Sequence, residues 1–297
     1  MAIENLYNTG IKTIGDESAL QAEQKTIIVV GPARGGTSLV AGALSHLGVF
    51  TGSGSTAPVF EDVRLAGAAE HGAVAQVRAI VSDYDAAHDI WAYKRPGIID
   101  DFGKIHDTVR NPVYLFIFKD IFSMANRNSI SMNLDVMNGL NVALEGYRKI
   151  IGFIERRNPS GLLLSYDRVI QNKEAFLDVL SQLVAPQPVS EEQRAAALAF
   201  IDPNPQAYLN ASRVTRGVGN VKSLSASEIS GAAHYAAAPH RPVVVDISVN
   251  GTTVAEVTAQ DHAFRHTFET PLTAEDTVSL RLTEDVVDFV EDLKLTS

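Results

Sequence analysis

The sequence predicts an α/β fold in which helices flank a central parallel sheet, followed by a small β-rich module. Three observations carry this. Short β-branched runs without alternation recur between amphipathic helical stretches, the first run leads through a glycine-rich turn into a helix, and the apolar period changes to two from Arg241 onward.

Residues 1–24 are polar and weakly patterned and read as an N-terminal arm. Thr26–Val30, "TIIVV", is the kind of run a strand buried on both faces shows. After the turn "GPARGG", residues Leu39, Val40, Ala43, Leu44 and Leu47 share one helical face, and Gly48 is placed to end that helix. "WAYKRP", from Trp91 to Pro96, reads as a short strand, and Val113–Phe118 and Gly161–Tyr166 read as central strands. Met137–Arg157 and Lys173–Val184 have helical spacing. Ser190, with Gln193 three residues on, marks the start of a third helix running to Ile201.

Residues 224–240, "LSASEISGAAHYAAAPH", are small and polar and read as a linker. Beyond them "PVVVDISVNGTTVAEVTA" is a hairpin turning at Asn250-Gly251, and "FRHTFETPL", "TVSLRLTE" and "VVDFVEDLKLTS" add strands. The expected organisation is therefore an arm at 1–24, a phosphate-binding α/β domain at 25–223, a linker at 224–240 and a β module at 241–297.

Composition sets limits on function. The chain has 297 residues, 45% hydrophobic and 20% charged, enough for one sizeable core and a smaller second unit. A formal net charge of -10 argues against wrapping nucleic acid, which needs an excess of cations. The absence of cysteine removes thiolate metal sites and cysteine nucleophiles and fits a reducing compartment. The N-terminus lacks a basic segment followed by an apolar one, and no run of about 18 apolar residues occurs. A cytoplasmic protein without membrane insertion is expected.

The stretch "GPARGGTSLV" carries the chemistry. Gly31 and Gly36 have the separation of the phosphate-loop pattern GxxxxGK[ST], and Ser38 supplies its hydroxyl, but Thr37 stands where the lysine belongs. Such a loop still holds an anion through backbone amides at the helix start and the hydroxyls of Thr37 and Ser38, with Arg34 adding a charge-assisted contact.

This loop resembles that of the sulfotransferases that use 3'-phosphoadenosine-5'-phosphosulfate (PAPS), in which a loop of this kind, without the lysine, holds the phosphosulfate. The resemblance spans roughly residues 25–222 and implies the P-loop three-layer fold, with Arg34, Gly35, Gly36, Thr37 and Ser38 on the cofactor, no catalytic metal, and 3'-phosphoadenosine-5'-phosphate (PAP) as product. "FKDIFSMANRNSIS" is similar to the family's 3'-phosphate segment, with Lys119 in place of an arginine, Ile121 in place of a proline, and Arg127 where a serine is usual. "GLLLSYDRV" is similar to a Ser-Tyr-Glu turn, which implies structural roles for Tyr166 and Asp167. "SRVTRGVGNVKS" resembles a late basic loop, which implies 3'-phosphate contacts from Arg216 and Gly217, with Gly219 and Lys222 beside them.

"PVFEDVRLAG" resembles the glutamate stretch after the loop helix in bacterial and carbohydrate sulfotransferases. It nominates Glu61 as the base, with Asp62 as substitute; such a base is helped by a carboxyl pKa raised through burial. Lys94 is the implied contact to the bridging oxygen or the acceptor, although Arg95 could equally be the one that points inward. His46 and His106 are weaker base candidates, with no motif around them. The expected activity is sulfuryl transfer from PAPS to a hydroxyl or amine of a glycan, lipid or small metabolite, with the β module recognising acceptor or joining copies into a homo-oligomer. The alternatives are a P-loop kinase or nucleotide hydrolase, and a non-catalytic binding or assembly protein with a decayed loop.

Overall fold

A computed structural model gives the fold; it describes residues 8–100, 102–132, 135–185, 187–201, 217–235, 239–283, 285 and 288–295, with the backbone alone of 104 and 130–132. The chain divides into two compact units, Met1–Asn128 with Asp135–Ala211, and Ser129–Leu134 with Ser212–Ser297.

The first unit runs in chain order β1 (Ile11–Ile14), α1 (Glu17–Leu20), β2 (Lys25–Val30), α2 (Thr37–His46), α3 (Val63–Glu70), α4 (Val74–Ala87), β3 (Ile90–Lys94) and a 3-10 turn (Pro96–Asp100). It continues with α5 (Phe102–His106), β4 (Pro112–Phe118), α6 (Ile121–Met132), α7 (Val136–Arg157), β5 (Gly161–Ser165), α8 (Tyr166–Gln171), α9 (Lys173–Val184) and α10 (Glu191–Phe200). One sheet has the order β1-β5-β4-β2-β3. β2 is parallel to both β3 and β4, and β4 is parallel to β5. β1 adds antiparallel to the outer edge of β5, so part of the expected N-terminal arm is a strand.

The unbroken apolar run of β2 has a direct cause. Ile27 and Val29 pack with Leu39, Val40 and Leu44 of α2 and with Phe176, Leu177 and Leu180 of α9. Ile28 and Val30, on the opposite face, pack with Tyr84 of α4 and Ile150 and Phe153 of α7. Successive strand residues face opposite ways, so a strand covered on both sides must be apolar at every position. The result is three layers. The helix boundaries follow local chemistry: Ser190 and Gln193 form a reciprocal capping box at the start of α10, and Gly48, at φ 88°, follows the last turn of α2.

The strand order fixes where a ligand can enter. β3 lies on one side of β2 and β4 on the other, so the connections leave in opposite directions and a crevice opens beyond the carboxyl ends of β2 and β4. The glycine-rich loop leaves one of those ends and Lys119-Asp120 the other.

The second unit contains β6 (Gly217–Leu224), β7 (Glu228–Tyr235), β8 (Val243–Val249), β9 (Thr252–Ala259), β10 (Ala263–Thr267), β11 (Val278–Leu282) and β12 (Val290–Leu293). They form sheets of order β10-β7-β6 and β12-β11-β8-β9. Ile229, Tyr235, Val245, Ile247, Phe264 and Leu280 share one core. Asn250 and Gly251 both have positive φ, 50° and 79°, as a tight two-residue hairpin turn requires.

Two expectations change here. The β unit's strands begin at Gly217, ahead of 241, and within the expected linker Glu228–Tyr235 is a strand with alternating burial. Small residues are needed there for packing: a Cβ at Gly219 would lie 2.6 Å from the Phe289 ring, and one at Gly231 would lie 2.6 Å from Phe264. A composition that reads as a loose connection is set by aromatic rings against the sheet.

Lys25 is fully buried at the start of β2, and its Nζ donates to the Leu20 carbonyl. Burial pushes its pKa down to about 8, below the ordinary 10.5. The unfolded chain therefore binds more protons between those values, and this residue's penalty is full below pH 8 and relieved as pH rises toward 10.5. Chemical denaturation should show Lys25→Met gaining more stability over the native chain at pH 7 than at pH 10.5; an equal gap at both would refute a buried, protonated Lys25.

Candidate functional site

The loop from Gly31 to Gly36 is shaped by contacts that exclude side chains. A Cβ at Gly31 would stand 3.0 Å from Thr37 Cγ2 and 3.3 Å from the Ile117 carbonyl oxygen. The Gly35 amide donates to the Pro32 carbonyl at 2.9 Å, closing a tight turn, and Arg34 has φ 67°. Gly36 has φ 94°, and a Cβ there would fall 2.2 Å from the Tyr166 ring. Gly36 also caps α2 without a side-chain hydrogen bond, so first-turn amides are left to point into the crevice with the positive end of the helix dipole. The side chains of Thr37 and Ser38 are buried in that first turn.

Tyr166 joins this loop to the next strand end. Its ring lies against Gly36, while Lys119 Nζ sits 4.3 Å from the ring centroid as a cation-π contact. The Lys119 backbone is held as well: its amide donates to Tyr147 Oη at 2.7 Å, and that hydroxyl donates to the Lys119 carbonyl at 2.9 Å. Burial lowers the Lys119 pKa, Asp167 and Asp120 oppose that, and the nearby positive charge of Arg127 adds to it. Asp120 accepts from the Ser123 amide at 2.7 Å and so caps α6. The Lys-Asp pair divides its work, one residue offering charge and the other starting a helix.

A second group of charges gathers at the end of β3, where Lys94 pairs in register with Val29. Lys94 is 3% exposed; its Nζ donates to Glu61 Oε1 at 2.7 Å and to the Val59 carbonyl at 3.1 Å. Arg95 pairs with Glu61 Oε2 on one side and with Glu70 on the other. The inward residue of the two is therefore Lys94. Burial pulls its pKa down against the pull of Glu61, and the charges of Arg95 and Arg34 act in the same direction as burial.

For Glu61, burial raises the pKa, but Lys94 and Arg95 outweigh it and hold the carboxyl below its ordinary value. The expectation of a burial-raised carboxyl is corrected by these two cations. Asp62 is not a substitute base: it is fully buried and caps α3 by accepting from the Leu65 amide at 2.8 Å.

Arg216 lies outside the described residues. Gly217 is a strand residue whose amide donates to Asp285 Oδ2 at 2.8 Å, so the donor it was expected to lend to a phosphate is already used. The Nδ1 of His106 pairs with Tyr114 Oη at 2.9 Å, and His46 packs on Phe200, so both are structural. Arg95, Glu70 and Tyr147 were not singled out as partners in the sequence; each acts through a contact from a distant element, which no local spacing reveals.

No family model and no curated protein matches the chain. Among solved structures, the sulfotransferase domain of the Synechococcus PCC 7002 olefin synthase is similar over 62% of this chain and 82% of that one, at 11% identity and a TM-score of 0.42. The complex of Porphyromonas gingivalis RgpB pro- and mature domains is similar over 94% of this chain and 70% of that one, at 11% identity and a TM-score of 0.20. Likenesses this faint carry no function, and the chain's own residues must. Among the described residues, no helix is long and apolar enough to cross a membrane.

Two outcomes follow from the geometry. Gly36→Ala should destabilise the first unit by about 1–3 kcal/mol in denaturant unfolding, because both φ and the Tyr166 ring oppose a side chain. Adding Tyr166→Ala should cost less than the sum of the single losses, and strict additivity would separate the two residues. Arg95→Met should raise the Glu61 carboxyl pKa in a carbon-13 NMR titration, since a lowering partner is removed; an unmoved titration would show that Arg95 does not hold it.

Proposed function

We propose that the first unit is a sulfotransferase that moves a sulfuryl group from PAPS to a hydroxyl or amine of an acceptor. The observation that carries this reading is the loop, whose left-handed Gly36 leaves the first-turn amides of α2 open at the carboxyl end of β2. Cations act on one another at two places around it, Lys94 with Arg34 and Lys119 with Arg127. Like charges held close in partly buried surroundings favour an anion between them. Two such places suit a nucleotide with phosphate at both its 5' and 3' positions.

The residues fit that group. Backbone amides of Gly36 to Ser38, with Arg34, would hold the 5'-phosphosulfate, and Lys119 and Arg127 would hold the 3'-phosphate; the Gly35 amide, expected to join them, is spent on the Pro32 carbonyl. The mononucleotide loop of a kinase needs a lysine at the position where the Thr37 side chain is buried. PAPS supplies the sulfuryl group and leaves as PAP.

The chain's own side chains do the rest. Glu61 accepts the acceptor's proton at a carboxylate oxygen, and Lys94 neutralises charge that grows on the leaving side. In the resting site Glu61 is a weak base, because two cations hold it. An anion on the loop competes for Lys94, and a carboxylate that loses one of its two cations becomes the stronger base. The base is thereby strengthened when its co-substrate is in place.

The first test is thermal. PAP without metal should raise the melting temperature, and ATP with Mg²⁺ should not. A response to ATP with Mg²⁺ and none to PAP would replace the reading by a kinase or nucleotide hydrolase. Glu61→Gln should lower turnover about 100-fold while PAP still binds, and binds more tightly because Lys94 is released to it, whereas Arg34→Ala should weaken PAP binding. Unaltered turnover in the first, or normal binding in the second, would remove that residue from its role.

A further inference from the structure

Two clefts of the first unit share a wall. The first, ≈560 Å³, opens on the loop itself, and its apolar surface comes from Pro32, Ala33, Pro96, Ile99 and Val142. Among the described residues no aromatic side chain lines it, and its polar lining is Asp100, Asn141, Glu145 and Lys149. A sugar ring wants a flat aromatic face for its C–H groups and several polar partners for its hydroxyls; this surface, of the size usual for a small-molecule site, suits an aliphatic chain. Gly146 sets the cleft's inner end, because a Cβ there would stand 3.0 Å from Pro32 Cγ, so α7 presses on the loop at this point.

The second cleft, ≈600 Å³, shares Ile99, Asp100, Glu145 and Lys149 with the first and continues along α7. Its charged lining is Arg148, Lys149, Arg156 and Arg157 against Asp100 and Glu145, four cations to two carboxylates on a chain of net charge -10. Lys149 meets Asp100 at 2.6 Å where the two clefts join, Arg148 lies 3.7 Å from Glu145 and Arg157 leans toward Asp107 at 3.6 Å, which leaves Arg156 as the lining cation with no carboxylate paired to it among the described residues. From Gly146 to Arg156 the helix rises about 15 Å.

We propose that the acceptor is an elongated aliphatic chain, with its hydroxyl at the loop and an anionic group about 15 Å away at Arg156 of α7. It is not a glycan. The word acceptor rests on the sulfotransferase reading; occupation of the cleft does not. The chain lies in the apolar channel beside Val142 and Ile99 and passes Arg148, and its anion meets Arg156 at the exposed end.

Calorimetric titration of the full chain, with and without PAP, tests this using 10-hydroxydecanoate, 1,10-decanediol and maltose as probes. The hydroxy acid should bind, the neutral diol should bind about two- to fivefold more weakly, and maltose should not bind, since exposed charge contacts are modest. The pair Arg148→Ala with Arg156→Ala should bring the acid to the diol's affinity and leave the diol unchanged. Val142→Asp, at an exposed helix position, should weaken both ligands about tenfold. Equal affinity for acid and diol would overturn the anionic end; maltose binding, or no hydroxy acid binding, would overturn the aliphatic cleft. Hydroxy acid binding without any PAP response would keep the cleft and sink the sulfotransferase reading. PAP binding without hydroxy acid binding would sink this inference alone.

Discussion

The ring of Tyr166 is the contact on which the candidate site depends. It lies against Gly36 on one side and under the Lys119 ammonium on the other, so one side chain sets the spacing between the glycine-rich loop and the end of the neighbouring strand. The loop needs glycine at 36 for two independent reasons, a left-handed backbone and the nearness of this ring. Lys119 in turn is fixed at its backbone by Tyr147 and at its charge by the ring, which limits how far the cation can wander. Three stretches far apart in sequence become one surface through aromatic contacts.

Charge is arranged around that surface with different degrees of burial. Lys94 is almost wholly buried and half committed to Glu61, whereas Arg95 is partly exposed and bridges Glu61 to Glu70. Removing one member of such a network leaves the others short of a partner, and the penalty grows with burial. The carboxylate of Glu61 is therefore tuned by the two cations that hold it.

The sequence made the central strands, the long helices and the hairpin at Asn250-Gly251 readable because each depends on short-range pattern. β2 is apolar throughout since both faces are covered, α10 begins at a capping box four residues long, and the hairpin turn needs two positive φ values. The region 217–235 was read as a basic loop followed by a linker because its glycines and alanines look like flexibility; they are small to admit Phe264 and Phe289 against the sheet. The antiparallel β1 was hidden for a similar reason, as an edge strand of four residues has little pattern of its own. At the site, the glycine-rich loop could be read from its spacing, but which of Lys94 and Arg95 points inward was left open, and the direction of the Glu61 pKa could not be read. It is set by which cations reach the carboxylate across the fold, and residue type alone pointed the other way.

The central claim is that the crevice between β2 and β4 holds a nucleotide with two phosphate positions. A crystal structure of the chain with PAP tests it most directly. The expected result is the 5'-phosphate on the amides of Gly36 to Ser38, with the 3'-phosphate beside Lys119 and Arg127 and the Lys94 contact to Glu61 lengthened or shared. A nucleotide bound elsewhere, or a crevice that stays closed to PAP at saturating concentration with Tyr166 still packed on Gly36, would contradict it.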